Sequence, residues 1–351
     1  MKVGTVCYST EQGIGHLPKW FYDEGVITDV MTFRHGSRLE HPEWYPPDTV
    51  NLVGRPFNGT VVNEFLKRVD LMLFFETPFD WDFLRYCRER GVKTAIVPMY
   101  ECTPERYTPS SRSYDASVRP DRWICPSLLD CQYFPGSPFL PIPLPRSLGP
   151  WQLRTRAERF LHNGGNLGLR GHKGTLEIMR AMQSVKSPIK LTIRAQDEAG
   201  LHKLCREVPS AVRDDRITFE YGNKPYAELF DGHDVFIMAE KYNGLSLPLA
   251  EAKASGMVVM TSDRFPMNTW LDKLFLIPVS SYTPAKVGGP YNMYEEAVVD
   301  PQEIAMAIDR AYENGKCTDH VERYSMASRE WRETMSWDAL KPLWVKELES
   351  I

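Results

Sequence analysis

Arg216–Ser262 reads RITFEYGNKPYAELFDGHDVFIMAEKYNGLSLPLAEAKASGMVVMTS. Two apolar runs, Val235–Met238 and Met257–Met260, have the length and composition of buried strands. Between them, Leu249–Ala254 has a helical pattern. Pro248 suits its first turn, where a missing N–H costs nothing. Gly256 suits its end, where a left-handed residue is wanted. The stretch therefore predicts strand, loop, helix, strand, with Asn243 and Gly244 in the loop and Glu251 on the helix. In an open parallel sheet, the loop at the carboxyl end of a strand lies in the ligand crevice. A helix N-terminus there presents free N–H groups to an anion, so the expected ligand is phosphorylated.

Asn243-Gly244-Leu245-Ser246-Leu247-Pro248-Leu249-Ala250-Glu251-Ala252-Lys253-Ala254-Ser255-Gly256 resembles the nucleotide-sugar motif of the retaining GT-B glycosyltransferases of the glycogen-synthase-like and sucrose-synthase-like class. That motif runs roughly E-G-F-G-L-P-L-L-E-A-M-A-S-G. The resemblance implies an α/β fold of two facing Rossmann-like, doubly wound domains with a cleft between them. It implies that Glu251 holds the nucleotide ribose and that Gly244, Leu245 and Ser246 line the donor. The family's first Glu, which faces the donor sugar, is Asn243 here; Asn can hydrogen-bond sugar hydroxyls but carries no charge.

A chain of 351 residues allows two domains of ordinary size. Its hydrophobic fraction of 42% and charged fraction of 25% are those of a globular protein. No apolar run is long enough to span a bilayer, and the start, MKVGTVCYSTEQG, reads as a first strand rather than a signal peptide. Seven scattered cysteines without a C-x-x-C pair suggest neither a disulfide framework nor a zinc site. A cytoplasmic location is expected.

The first domain is expected over 1–150. Lys2–Tyr8 reads as a strand, followed by Ser9-Thr-Glu-Gln-Gly13-Ile-Gly15-His16 and a helix to Glu24. A glycine loop in this setting permits close backbone approach to a ligand, and the resemblance places Gly13 and Gly15 beside the donor. His16 either orients substrate or begins the helix. Val26–Phe33 and Val69–Phe75 read as strands, the second ending at Glu76. Pro78–Arg90 reads as a helix, with Asp80-Trp-Asp82 in its first turn, where acids suit the helix dipole. No metal site is expected from it. Lys93–Pro98 is a strand leading to Glu101. His16, Glu76 and Glu101 are the acceptor-side candidates. A proline-rich segment from Pro135 to Pro150 reads as the linker.

The second domain is expected over 151–330, with 331–351 a helix returning to the first. Arg159–Gly164 reads as a strand, then Gly165-Asn166-Leu-Gly-Leu-Arg170-Gly-His-Lys173-Gly174, then a helix to Met182. The resemblance assigns Lys173, with Arg170, to the donor diphosphate, and Gly165 and Asn166 to the donor site; with Asn243 these two cations are the catalytic candidates. Arg216–Tyr221 is a strand, Gly222 and Asn223 form the turn where the resemblance puts the nucleotide base, and Ala227–His233 reads as a helix. Pro301–Asn314 and the run after Trp337 are also helical.

The implied activity is transfer of a sugar from a nucleotide-diphosphate donor, UDP-glucose by family frequency, to an acceptor hydroxyl with retention. No cofactor is required. In this class the leaving diphosphate receives the acceptor proton, so no protein base is needed. The net charge of −4 gives no global polyanion signature. Arg106–Arg159 nonetheless holds eight arginines and no lysine against four acids, with Tyr107, Tyr114 and Trp123 interleaved. Arginine forks onto phosphates. A small molecule, glycan or lipid acceptor stands beside a hydroxymethylated pyrimidine in DNA, as used by bacteriophage enzymes of this architecture that flip the base out. A non-catalytic nucleotide-sugar-binding protein on the same fold is the remaining reading, which Asn243 leaves open.

Overall fold

The computed structural model describes residues 1–34, 40–165, 171–286 and 293–351. The chain divides into two compact units, one of Met1–Pro143, Lys286–Met293 and Trp337–Ile351, the other of Leu144–Ala285 with Tyr294–Ser336. The proline-rich segment straddles that division.

In the first unit the strands are β1 (Val3–Cys7), β2 (Asp29–Phe33), β3 (Val50–Leu52), β4 (Leu71–Glu76), β5 (Lys93–Pro98) and β6 (Arg122–Trp123). The helices are α1 (Gly13–Asp23), α2 (Thr60–Leu66), α3 (Asp82–Arg88) and α4 (Leu128–Tyr133). The sheet order is β3-β2-β1-β4-β5-β6, all parallel. Runs such as Leu71–Phe75 of β4 are apolar and buried throughout because helices cover both faces of a parallel sheet.

In the second unit β7 (Arg159–Gly165), β8 (Lys190–Ala195), β9 (Ile217–Tyr221), β10 (Val235–Met238) and β11 (Val258–Thr261) form a parallel sheet of order β11-β10-β7-β8-β9. Its helices are α5 (Thr175–Ala181), α6 (Glu198–Glu207), α7 (Pro209–Val212), α8 (Leu247–Ala254), α9 (Pro301–Cys317) and α10 (His320–Thr334). Strands β12 (Ser281–Lys286) and β13 (Met293–Val298) pair with each other. Val235, Ile237, Val258 and Met260 face one half of the core, with Ile178 and Ile308 of α5 and α9. Phe236, Met238 and Val259 face the other, with Leu249 and Ala252 of α8. This is the period-two alternation of a sheet with two covered faces. The final helix, α11 (Trp337–Glu349), belongs to the first unit. There Trp337 and Trp344 meet Phe21 of α1 edge-on, at ring separations of 5.0 and 4.8 Å.

Both units are doubly wound Rossmann-like α/β layers with parallel sheets, the architecture of the GT-B fold. In each, chain order reverses direction beside the unit's first strand, between β1 and β4 and between β7 and β10. That reversal opens a crevice at the carboxyl ends of the strands.

Two local expectations differ, and one helix is additional to those expected. Ala227–His233 is not a helix: only Tyr226–Glu228 form a short 3-10 turn. The Arg194 guanidinium takes the Leu229 carbonyl (2.8 Å), the Arg154 guanidinium takes that of His233 (2.6 Å), and Gly232 is left-handed (φ 75°). Those carbonyls are therefore unavailable to a continuing helix. The helix expected from Pro78 starts only at Asp82, after Phe79 in a left-handed conformation (φ 61°). Asp80 lies ahead of it, accepting the backbone N–H groups of Phe57 (2.7 Å) and Asp82 (3.2 Å). Finally, α10 occupies a polar stretch whose buried residues include Ser325 and Ser328.

Candidate functional site

The site is built at the β7/β10 crevice of the second unit. Strand β7 ends at Gly165 in a left-handed turn (φ 57°). Asn166 and Arg170, expected to contact the donor, lie outside the described residues. The chain re-enters at Gly171, and Lys173 brings its ammonium against the Gly165 backbone, where an added Cβ would collide with Nζ. Gly174 is also left-handed (φ 69°) and packs directly on the Ala239 carbonyl. Only glycine satisfies that combination of φ and close approach. Lys241 N–H donates to the His172 carbonyl (2.7 Å), and its ammonium reaches Glu177 (2.9 Å). The loops after β7 and β10 are thus tied to each other.

Beneath them His162 is fully buried between the Ile237 carbonyl at Nδ1 and the Thr175 hydroxyl at Nε2, each 2.8 Å away. Burial pushes its pKa down to about 4, with Lys173 adding to the effect. The ring is therefore neutral, donating from Nδ1 and accepting at Nε2.

The loop after β10 carries the motif. Glu240, 1% exposed, follows the last strand residues. The Asn243 side-chain oxygen accepts the N–H groups of Leu245 (2.9 Å) and Ser246 (3.0 Å). Ser246 is left-handed (φ 42°) immediately before α8, and its hydroxyl donates to Glu240 (3.2 Å) rather than capping the helix. In the first turn of α8 Pro248 has no N–H and the Leu249 N–H bonds the Ser246 carbonyl (3.1 Å), so only the Leu247 N–H is left to an outside acceptor. Arg264, buried just past β11, donates to the Asn243 carbonyl (2.9 Å).

Glu251 points inward from α8, 3% exposed, and receives the Tyr226 hydroxyl at 3.0 Å. Burial raises its pKa to about 7, against the opposing effects of Tyr226 and Lys173. Desolvation lowers the pKa of Lys173, while Glu240 and Glu251 hold it up. One cation therefore shares the crevice with two buried carboxylates. On the far side, Gln196 N–H donates to the Gly165 carbonyl (2.9 Å) and its side-chain amide donates to Asn223 (2.9 Å). Gly222 (φ 94°) donates to the Ala195 carbonyl (2.9 Å), so the ends of β7, β8 and β9 form one rim.

Glu240, Tyr226, Gln196 and Arg264 were not singled out by sequence reasoning. Three of them share one available signal: Gln196, Glu240 and Arg264 each fall within three residues of a strand's carboxyl end.

The acceptor-side candidates all lie in the first unit. Gly13 begins α1, and a Cβ on Gly15 would strike the Thr10 backbone, so Gly15 serves the packing of the turn. His16 Nε2 faces Glu11 at 3.2 Å, and the other Glu11 oxygen faces His41 Nε2 at 3.3 Å. Trp44 stacks on His41 (4.7 Å) and meets His16 at a tilt (5.3 Å). Burial lowers the His16 pKa and Glu11 opposes this. Glu76 ends β4 in a left-handed conformation (φ 62°). Glu101 is buried and raises the pKa of Asp130, pushed up to about 8 chiefly by burial. The Asp130 carboxylate takes the Tyr100 N–H (2.9 Å), and Ser127 caps α4 by accepting the Asp130 N–H (3.1 Å).

The arginine-rich segment is divided between the units. Arg154 is buried, Arg159 pairs with Asp234 (2.7 Å) and Arg122 with Glu347 (3.0 Å). Several of its charges are therefore spent within the fold. Among the described residues no cluster of His, Cys, Asp or Glu could hold a metal ion, and no helix is long and apolar enough to cross a membrane.

No family model matches the chain, and no curated protein matches it in sequence. Solved structures do match in fold. Alr3699/HepE from Anabaena, in complex with UDP and glucose, superposes with a TM-score of 0.71 at 11% identity, covering 100% of both chains. A glycosyltransferase from Rickettsia africae gives 0.68 at 13% identity, covering 99% of this chain and 97% of the other. Sucrose-phosphate synthase from Thermosynechococcus elongatus gives 0.67 at 14%, covering 100% of both. The chain shares the GT-B fold of these glycosyltransferases.

Proposed function

We propose that the protein is a retaining glycosyltransferase that takes a sugar from a nucleotide-diphosphate donor, UDP-glucose first among candidates, and passes it to an acceptor hydroxyl. One observation carries this reading: at the β7/β10 crevice the buried Lys173 acts electrostatically on the buried Glu251, which the Tyr226 hydroxyl also holds. An ionised Glu251 accepts hydroxyl hydrogen bonds, which suits a ribose. Lys173 is a point charge for the diphosphate, and the positive end of α8, with the Leu247 N–H, adds to it. Arg170 is the second cation on sequence grounds. That structures of this fold hold UDP, and UDP-glucose in another complex of HepE, supports the same class of donor.

In the proposed step the bond from the anomeric carbon to the diphosphate oxygen breaks and the acceptor oxygen bonds to that carbon on the same face. The acceptor proton passes to the departing diphosphate. Lys173 stabilises the negative charge growing on the leaving group, where a fixed cation in a desolvated site is most effective. His16, Glu76 and Glu101 of the first unit are the acceptor-side candidates.

The test is donor binding and hydrolysis across UDP-, GDP- and ADP-sugars, with Lys173→Ala and Glu251→Ala alongside. One donor should bind, and each substitution should weaken it by about tenfold or more, worth about 1.4 kcal/mol. Each donor is run with glycan acceptors and with hydroxymethylated DNA. Binding of no nucleotide sugar by the wild-type protein overturns the reading.

A further inference from the structure

We infer that the carboxylate facing the donor sugar is supplied by Glu240, three residues ahead of the motif position held by Asn243. The inference rests on the donor-site reading above and assigns a recognition residue within it.

The first ground is what Asn243 does. Its Oδ1 takes two backbone N–H groups, from Leu245 and Ser246. Turning the amide over would set its own N–H groups against those donors, so the hydrogen-bond pattern fixes its orientation. Its main-chain carbonyl is held by Arg264. Asn243 is thus a staple that shapes the loop, as short amide side chains do in turns, and its acceptor atom is committed to the backbone.

The second ground is where Glu240 sits. It lies just past β10, one of the two strands that flank the crevice, and is 1% exposed. It acts electrostatically on Lys173 and favours the charged ammonium. A buried carboxylate persists in ionised form only beside such a cation and with hydrogen-bond donors at its oxygens. Ser246 supplies one donor, at 3.2 Å. To do so it adopts a left-handed conformation (φ 42°) unusual for a residue with a side chain. Backbone strain of that kind concentrates at functional sites. The loop is bent so that Asn243 closes on the loop backbone and Glu240 is held, through Ser246, where its charge acts on Lys173.

The chemistry follows. Sugar hydroxyls are hydrogen-bond donors, and an ionised carboxylate is the acceptor that binds them most strongly. Glu240 can accept from a hexose while Lys173 meets the adjoining phosphate. A nucleotide without a sugar makes no hydrogen bond to Glu240, so neutralising Glu240 reaches it only through the weaker support for the Lys173 charge, which Glu251 still supplies.

The experiment compares affinities for UDP and UDP-glucose in the wild-type protein, Glu240→Gln, Glu240→Asp and Asn243→Ala. Gln keeps an oxygen for the Ser246 hydroxyl, so the loop is preserved while the charge is removed. Glu240→Gln should weaken UDP-glucose about tenfold and leave UDP within about twofold, which is a difference of roughly 1–1.4 kcal/mol in the sugar contact alone. Glu240→Asp, which retains the charge on a shorter arm, should fall between it and the wild type. Asn243→Ala should weaken both ligands by the same factor, because it loosens the loop that both contact. The inference is overturned if Glu240→Gln leaves both affinities unchanged or lowers both in proportion, or if Asn243→Ala alone shifts the ratio. The same comparison is made with whichever nucleotide and nucleotide sugar the wild-type protein binds; binding of none of the UDP-, GDP- and ADP-sugars overturns the donor-site reading together with the inference, whereas a bound donor with an unchanged ratio overturns the inference alone.

Discussion

The Tyr226 hydroxyl donates to the Glu251 carboxylate across 3.0 Å, joining the turn after β9 to the middle of α8. That bond opposes the burial that lifts the Glu251 pKa to about 7 from an ordinary 4.5. An acid whose folded-state pKa is raised contributes to stability below its ordinary pKa, and that contribution is lost as pH rises through about 7. Ligand binding runs the other way, since hydroxyl donors prefer the ionised form. Donor affinity should therefore increase between pH 6 and pH 8. Tyr226→Phe should move the midpoint upward and weaken binding roughly three- to tenfold at pH 7. Calorimetric titration of UDP at several pH values reads both; a midpoint that Tyr226→Phe leaves in place would contradict the coupling.

His162 makes an acid-side prediction for the second unit. Its pKa is depressed to about 4 from 6.5. A depressed group contributes stability that is present above the ordinary pKa and lost as pH falls through the folded one. Two and a half pKa units correspond to about 3 kcal/mol. Urea unfolding at pH 7 and at pH 4.5 should show a large loss in the wild type and a smaller one in His162→Gln. Equal losses in the two proteins would remove His162 from the account.

Three glycines of the β7–α5 segment should separate cleanly. Gly171 is left-handed (φ 61°) with open space around it, so Gly171→Ala should cost only about 1–2 kcal/mol for the conformation. Gly174→Ala adds a collision with the Ala239 backbone and should lower the melting temperature well beyond that. In Gly165→Ala the new methyl meets the flexible end of Lys173. The fold should survive, while diphosphate affinity drops. Thermal melts and UDP titrations of the three variants check this ordering.

Asp80 gives a contrast in the first unit. Its two oxygens hold the Phe57 and Asp82 amides. Asp80→Ala should destabilise by about 1–3 kcal/mol and leave the KM for the donor unchanged. A donor KM that rises while stability holds would point instead to a direct role in the site.

Legibility in the sequence followed the physics of burial. Runs such as Val235–Met238 are strands because both faces of a parallel sheet are covered, which leaves no polar alternation to misread. Pro248 and Gly256 mark the two ends of α8 from chemistry alone. The stretch after Tyr226 was not legible, because its helix is prevented by Arg154 and Arg194, which come from distant parts of the chain. Helix α10 was missed because its inner face uses Ser325 and Ser328, which bond Trp151 and Arg154 rather than fill an apolar stripe. Within the site, the motif drew attention to position 243 and away from Glu240, whose relation to Lys173 depends on strands β7 and β10 lying side by side.

The placement of α11 against α1 bears on how the chain folds during synthesis. Phe21 is made near the beginning, but its edge-on partners Trp337 and Trp344 emerge only after the whole second unit has been translated. Domains usually fold in the order they leave the ribosome. Here the second unit can complete its sheet while the first still waits for its last helix, with Phe21 unsealed. A nascent chain halted before residue 337 should accordingly carry a protease-resistant second unit behind a first unit that remains open to chaperones.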